Sequence, residues 1–232
     1  MKTSIRAYAA EALGTFALVF IGTSVATLQG FLEMGPAGWL GISFAFGGTL
    51  MVLVNVIGPI SGCHLNPAVT IPMALSGRMK GSSVPGYIIA QIIGASAGSF
   101  VLLALLKGLP GYALETHGLG ANGNPKEMSA GALLGFEAVM TALFLFTIFS
   151  ATRDDAPSGA APFAIGGFLF VAHLVGAPLG DSSLNPARSI GPALVEAIFG
   201  QSGSMGVVWI FIAGPLAGGA AGWLLYKFIY ED

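Results

Sequence analysis

Charged residues fall in a few places along this chain, and between them run long stretches without Asp, Glu, Lys or Arg. Four of these, 12–32, 81–106, 156–180 and 197–226, are long enough to cross the roughly 30 Å apolar core of a bilayer as helices. A fifth, 128–152, is interrupted by Glu137 alone. The longest, 34–77, exceeds what one span needs. Its first part, Gly38 to Ile57, crosses; Gly58-Pro59, Ser61-Gly62 and Asn66-Pro67 then break it. The remainder, Pro67 to about Ser76, rises only about 15 Å as a helix, half a bilayer. It is too short to cross and too apolar for an aqueous loop, so a re-entrant half-helix is predicted. Pro186 to Phe199 repeats the pattern. The predicted fold is an all-α membrane protein of six transmembrane helices and two re-entrant half-helices. Irregular backbone is tolerated at membrane depth where protein buries it or where it lines a wet cavity, and two such segments in matching places mark a midplane permeation site.

The two halves match. Glu11-Ala12 with Thr15 and Phe20 recurs as Glu137-Ala138 with Thr141 and Phe146, each 126 positions on. Asn66-Pro67-Ala68 recurs as Asn185-Pro186-Ala187, 119 positions on. Ile89-Ala90 with Gly94 and Gly98 corresponds approximately to Ile212-Ala213 with Gly218 and Gly222. The chain therefore reads as one channel domain, 1–232, made of repeats at about 1–107 and 128–232. Three spans per repeat is an odd number, so the second copy lies inverted in the membrane. The Gly94/Gly98 and Gly214/Gly218/Gly222 spacings suggest close helix crossings; the other reading is that glycine, with 35 residues, is simply common here.

Composition supports the membrane reading. Charged residues make up 9% of the chain, against about 25% in soluble domains. Lys2 and Arg6 precede a stretch that reads as a first span rather than a signal peptide. Six spans put both termini on one side. That side collects Lys2, Arg6, Arg78, Lys80, Arg153 and Lys227; the other has Lys107 and Lys126. This bias predicts cytoplasmic termini in the cell (plasma or inner) membrane. A net charge of −2 argues against nucleic acid as a partner. Cys63 is the one cysteine, so no intrachain disulfide is possible. The chain shows no nucleophile–base set and no metal-ligand cluster, and no enzyme activity, cofactor or metal is expected.

A half-helix that starts at midplane presents unpaired N–H groups and the positive end of its dipole. Asn is a good N-cap and Pro suits the next position. Two inverted half-helices would meet cap to cap, with Asn66 and Asn185 each aiming an amide N–H into the passage. A water molecule accepting from both turns its own hydrogens outward, which interrupts a proton wire, while the two helix ends repel cations.

The stretches Ser61-Gly-Cys-His-Leu-Asn-Pro-Ala-Val-Thr70 and Ser183-Leu-Asn-Pro-Ala-Arg-Ser-Ile-Gly-Pro192 resemble the two signature loops of the aquaporin (major intrinsic protein) family, and the likeness covers nearly the whole chain. The resemblance implies a homotetramer in the lipid bilayer with one pore per subunit. It also makes Phe46, His173, Ser182 and Arg188 the narrow external filter. On the residues alone, Phe46 reads as core and His173 as either structural or functional. Arg188 follows Asn185 by three; its mirror position is Val69, so one pore end is charged. Glycerol-conducting relatives carry a small residue where this chain has His173, and an acidic and a basic residue where it has Ser189 and Ala193. The resemblance is thus to water-selective, bacterial-type members, with a glycerol or ammonia facilitator of the same fold as the alternative. Phe211-Ile212 departs from the aromatic pair usual in water channels. An ion-coupled transporter, which also uses inverted repeats, would need more than the two glutamates offered here.

Those glutamates, Glu11 and Glu137, read either as a proton relay or as structural acceptors for the N–H groups preceding each half-helix. By the family pattern His64 lines the inner vestibule, and the carbonyls of Gly62, Cys63 and His64 and of Asp181, Ser182 and Ser183 form an acceptor ladder for water. Cys63 precedes Ser182 by the same 119 positions. Its thiol either touches the pore, making the channel mercury-sensitive, or is a small packed residue. Pro72 is expected to shorten or kink the first half-helix.

Overall fold

A computed structural model describes residues 5–123, 127–179 and 182–231. The helices are α1 (Ile5–Phe31), α2 (Pro36–Ser61), α3 (Pro67–Leu75), α4 (Val84–Leu106), α5 (Leu114–His117), α6 (Ala130–Ala151), α7 (Ala160–Leu179), α8 (Pro186–Ile198), α9 (Gly203–Val207) and α10 (Ile210–Tyr230). Six helices among the described residues are long and apolar enough to span a bilayer, and α3 and α8 are the two short ones expected.

Boundaries moved where a local rule yielded to packing. The first span begins at Ile5 and takes in Glu11, because that carboxylate is fully buried and hydrogen-bonded rather than facing lipid. The second runs through Pro59 to Ser61. A proline so near a helix end forfeits one backbone bond, and Gly62 in the left-handed conformation (φ 86°) then closes the helix with its N–H on the Gly58 carbonyl. Pro72 does not end α3, which continues to Leu75. The uncharged run 197–226 is not one span. Its first residues finish α8, Gly200 turns with φ 92°, and the last span runs on to Tyr230.

The bundle buries polar groups among apolar ones and is apolar outside. Glu11, Thr15, Gln91, Glu137 and Thr141 are completely buried, whereas Phe44, Val139, Phe163 and Phe228 are exposed on outer faces. The main core runs between the repeats, from Leu18 and Phe46 to Phe144 and Leu169. The most extensive helix pairings are α1 with α4, α6 with α10, and α2 with α7. Glycines set the first two. A methyl group on Gly94 or Gly98 would fall closer than 3.0 Å to the Ala12 or Phe16 carbonyl oxygen of α1; one on Gly218 or Gly222 would meet Ala138 or Ala142 of α6 in the same way. Gly47 and Gly166 face each other's carbonyls across α2 and α7. The glycine spacings in the sequence are therefore packing motifs.

Gly218→Ala should destabilise the fold by about 1–3 kcal/mol through overpacking. Gly167→Ala, whose added methyl meets nothing within 4 Å, should not. Thermal unfolding of the detergent-purified protein compares them, and equal melting of the two variants would contradict the backbone contact.

Candidate pore and selectivity filter

Each half-helix is preceded by a turn that no ordinary sequence preference favours. Leu65 and Leu184 both adopt the left-handed conformation, φ 53° and 58°. They stand 119 positions apart, each just before its Asn. Such a conformation costs a non-glycine residue of order 1–3 kcal/mol, and the buried acids offset it. Glu11 accepts from the N–H groups of His64 (2.9 Å) and Leu65 (2.7 Å), from Ser61 Oγ (2.7 Å) and from Gln91 Nε2 (2.8 Å). Glu137 accepts from the N–H groups of Ser183 (2.8 Å) and Leu184 (2.8 Å). Both glutamates thus accept from the backbone that precedes a half-helix.

The turns aim two carbonyls across the molecular midline. Asn66 Nδ2 donates to the Leu184 carbonyl (2.7 Å) and Asn185 Nδ2 to the Leu65 carbonyl (2.8 Å). Each Asn Oδ1 caps its own helix, at the N–H of Ala68 (2.8 Å) or of Ala187 (3.0 Å) and Arg188 (3.2 Å). An amide nitrogen carries two hydrogens, so one from each Asn is left after this cross-bond, and both residues line a narrow cavity of about 20 Å³. Pro67, Ala68, Pro186 and Ala187 form the buried first turns behind them.

The cavity lining divides by chemistry. His64, Asn66, Ser183, Asn185 and Arg188 supply polar groups; Leu18, Leu50, Phe144 and Leu169 supply an apolar wall. The wall was not foreseen. Its signal was nonetheless present, for Leu18 and Phe144 are 126 positions apart and Leu50 and Leu169 are 119 apart, the two repeat offsets. Next to it lies a wider vestibule of about 230 Å³, and His173 and Arg188 line both spaces.

Those two residues and Phe46 meet in one constriction. The Phe46 and His173 rings stack with centroids 4.4 Å apart, and the Arg188 guanidinium carbon sits 4.9 Å from the Phe46 centroid. His173 Nδ1 lies 2.9 Å from the Leu169 carbonyl. A carbonyl only accepts, so Nδ1 is the donor and Nε2 the acceptor of the neutral ring. Nε2 has no protein partner among the described residues. Arg188 Nη1 donates to the Gly120 carbonyl (2.9 Å). Asn122 Nδ2 donates to the Ser182 carbonyl (3.2 Å), and Ser189 Oγ donates to Asn122 Oδ1 (2.8 Å). Gly120 and Asn122 come from the segment between α5 and α6.

Gly62 is exposed, and half-buried His64 reaches the cavity, with Nδ1 3.2 Å from Thr70 Oγ1. The Cys63 side chain packs in the apolar core and is not among the residues lining either space. Asp181 lies outside the described residues.

Comparison with known proteins agrees with this geometry. Residues 1–226 match the family model described as Major intrinsic protein. Aquaporin Z of Bradyrhizobium diazoefficiens is 42% identical over 98% of this chain and 95% of its own length. Aquaporin Z of Photorhabdus laumondii is 39% identical over 98% and 99%. Among solved structures, the aquaglyceroporin from Plasmodium falciparum superposes with a TM-score of 0.88 over 98% of this chain and 97% of its own, at 20% identity, a likeness of fold alone. With paired half-helices, a cross-bonded Asn pair and a family match over almost its full length, the chain belongs to the major intrinsic protein family.

Proposed function

We propose that this protein is a passive channel that conducts water in single file and excludes protons and ions. The observation that carries the reading is the constriction of Phe46, His173 and Arg188. Phe46 is an apolar face, His173 Nε2 an acceptor and Arg188 a fixed cation with donors. A water molecule can satisfy such a ring from a single small volume. A glycerol backbone needs room that the stacked His173 ring occupies. The relatives named Aquaporin Z support the same reading.

Below the filter, water passes between the apolar wall and the polar line. The carbonyls of Ser182 and Ser183 on one side of the midplane, and of Gly62, Cys63 and His64 on the other, serve as acceptors; Asp181 belongs to the same ladder in the sequence. At midplane the remaining amide hydrogens of Asn66 and Asn185 bind the water oxygen, so its hydrogens point away and no proton wire passes. The N-termini of α3 and α8 meet there, and their partial positive charges oppose cations.

The channel works as a homotetramer in the cell membrane, with both termini cytoplasmic. Two features support this: the Lys/Arg bias between the two sides, and Asn55, which is exposed on the outer face of α2 with its Nδ2 on the Met51 carbonyl (3.2 Å). A polar side chain at membrane depth seldom faces lipid, and a second copy of the chain gives it a surface to meet.

Reconstituted in liposomes, the protein should speed shrinkage in a sucrose gradient and leave glycerol uptake near the lipid background; rapid glycerol entry would favour the facilitator instead. His173→Gly should raise glycerol permeability about tenfold, equivalent to about 1.4 kcal/mol of barrier; continued exclusion would mean that another group sets the width. Asn185→Asp replaces the donor to the Leu65 carbonyl with a second acceptor. It should either leak protons, read with an entrapped pH dye, or fail to assemble, and a fully normal channel would refute the role given to the amide.

A further inference from the structure

A third acid is buried near the pore, and neither the midplane lock nor the filter ring uses it. Glu196 lies in the last turn of α8 and is 6% exposed. That is a poor place for a carboxylate. A buried charge is costly, and the C-terminal end of a helix carries partial negative charge that repels it. The residue therefore does not serve the stability of α8 itself. Its two oxygens reach outward to other segments. Oε1 accepts from the Leu119 N–H (2.7 Å) and Oε2 from Ser204 Oγ (2.8 Å).

Leu119 is the residue before Gly120, whose carbonyl holds Arg188 Nη1 at 2.9 Å. Leu119 itself is completely buried, and Gly118 and Gly120 on either side of it have φ of 60° and 64°. The loop is thus a tight run that crosses α8 along its length. Glu196 fixes one end of the run, and Asn122, bonded to Ser189 and Ser182, fixes the other. The carbonyl that orients the filter arginine sits between the two anchors.

The repeat gives an independent indication. Glu11 and Glu137 stand at matching places in the two repeats because the midplane lock is symmetric. The position 119 residues before Glu196 is Gly77, which has no side chain. Glu196 therefore groups with the asymmetric features, Arg188 opposite Val69, that distinguish the outer pore from the inner one.

We propose that Glu196 is a positioning residue for selectivity: it holds the Leu119–Gly120 backbone where the Gly120 carbonyl keeps Arg188 in the filter. The inference rests on the reading of Arg188 as a filter group. Replacement by glutamine preserves an acceptor for Leu119, and the Ser204 hydroxyl can turn to accept from the new amide. Methionine fills a similar volume and accepts from neither partner.

The test measures glycerol and water permeability in proteoliposomes for Glu196→Gln, Glu196→Met, Arg188→Val and the double variant Glu196→Met/Arg188→Val, each checked for folding by thermal unfolding. Glu196→Met should raise the glycerol-to-water ratio about fivefold, the scale of one ordinary hydrogen bond lost. Glu196→Gln should stay close to wild type, and the Met change should add nothing in the Arg188→Val background. A folded Glu196→Met channel with wild-type selectivity would overturn the proposal, as would an undiminished effect in the Arg188→Val background. Loss of the folded channel in Glu196→Met would overturn it too, because the acid would then be a requirement of the fold rather than of the filter. If Arg188→Val alone leaves selectivity unchanged, the filter reading itself fails, a result separate from the others.

Discussion

Backbone N–H groups at the centre of a bilayer have no water to turn to, and everything unusual about this molecule follows from how it satisfies them. Two half-helices begin at midplane, and the residues before each one cannot use helical bonds. Glu11 and Glu137 supply the missing acceptors. Without them Leu65 and Leu184 would gain nothing from a left-handed backbone, and their carbonyls would not point across the midline. The Asn amides would then lack the bonds that orient them. The permeation site is thus built outward from two buried carboxylates that do not themselves line the cavity.

That arrangement divides the pore into a symmetric part and an asymmetric part. The half-helices, their caps, the acid-held turns and the paired apolar residues obey the repeat. On the proposed function they form a barrier against charge that acts equally from either side. On the same proposal, selection by size and polarity falls to residues that break the repeat. Arg188 opposes Val69, and the Phe46–His173 stack and the Gly120 carbonyl complete the ring around it. Phe144 is a softer case, larger than its counterpart Leu18 yet still part of the wall. In that reading a duplicated half provides the passage, and departures from duplication provide its preference.

Much of this was legible in the residues. The half-helices were visible because Pro67–Ser76 is apolar but too short to cross, and because Pro186–Phe199 repeats it. The glycine crossings were visible as spacings in both repeats. Other features were not, and for physical reasons. A left-handed Leu carries no compositional mark, since the carboxylate that holds it lies 54 positions away for Leu65 and 47 for Leu184. The Asn cross-bonds join positions about 120 apart through a backbone carbonyl, which any residue possesses. The segment between α5 and α6 contributes the Gly120 carbonyl and the Asn122 side chain, ordinary groups made specific by where they dock. Span ends shifted at Glu11, Pro59 and Phe199 because charge, proline and apolar runs are local signs, while helix ends here are set by burial and capping.

The two cross-bonds also bear on how such a chain is made. Translation proceeds from the N-terminus, and Asn66 emerges well before Leu184 exists. Until the second repeat has been synthesised, the amide of Asn66 has no carbonyl opposite it, and the Leu65 carbonyl has no amide. The first re-entrant segment is therefore left open-ended on the ribosome, with its final partner still to be translated. Completion of the pore is a late event in biogenesis, in which each half supplies the other's last hydrogen bond.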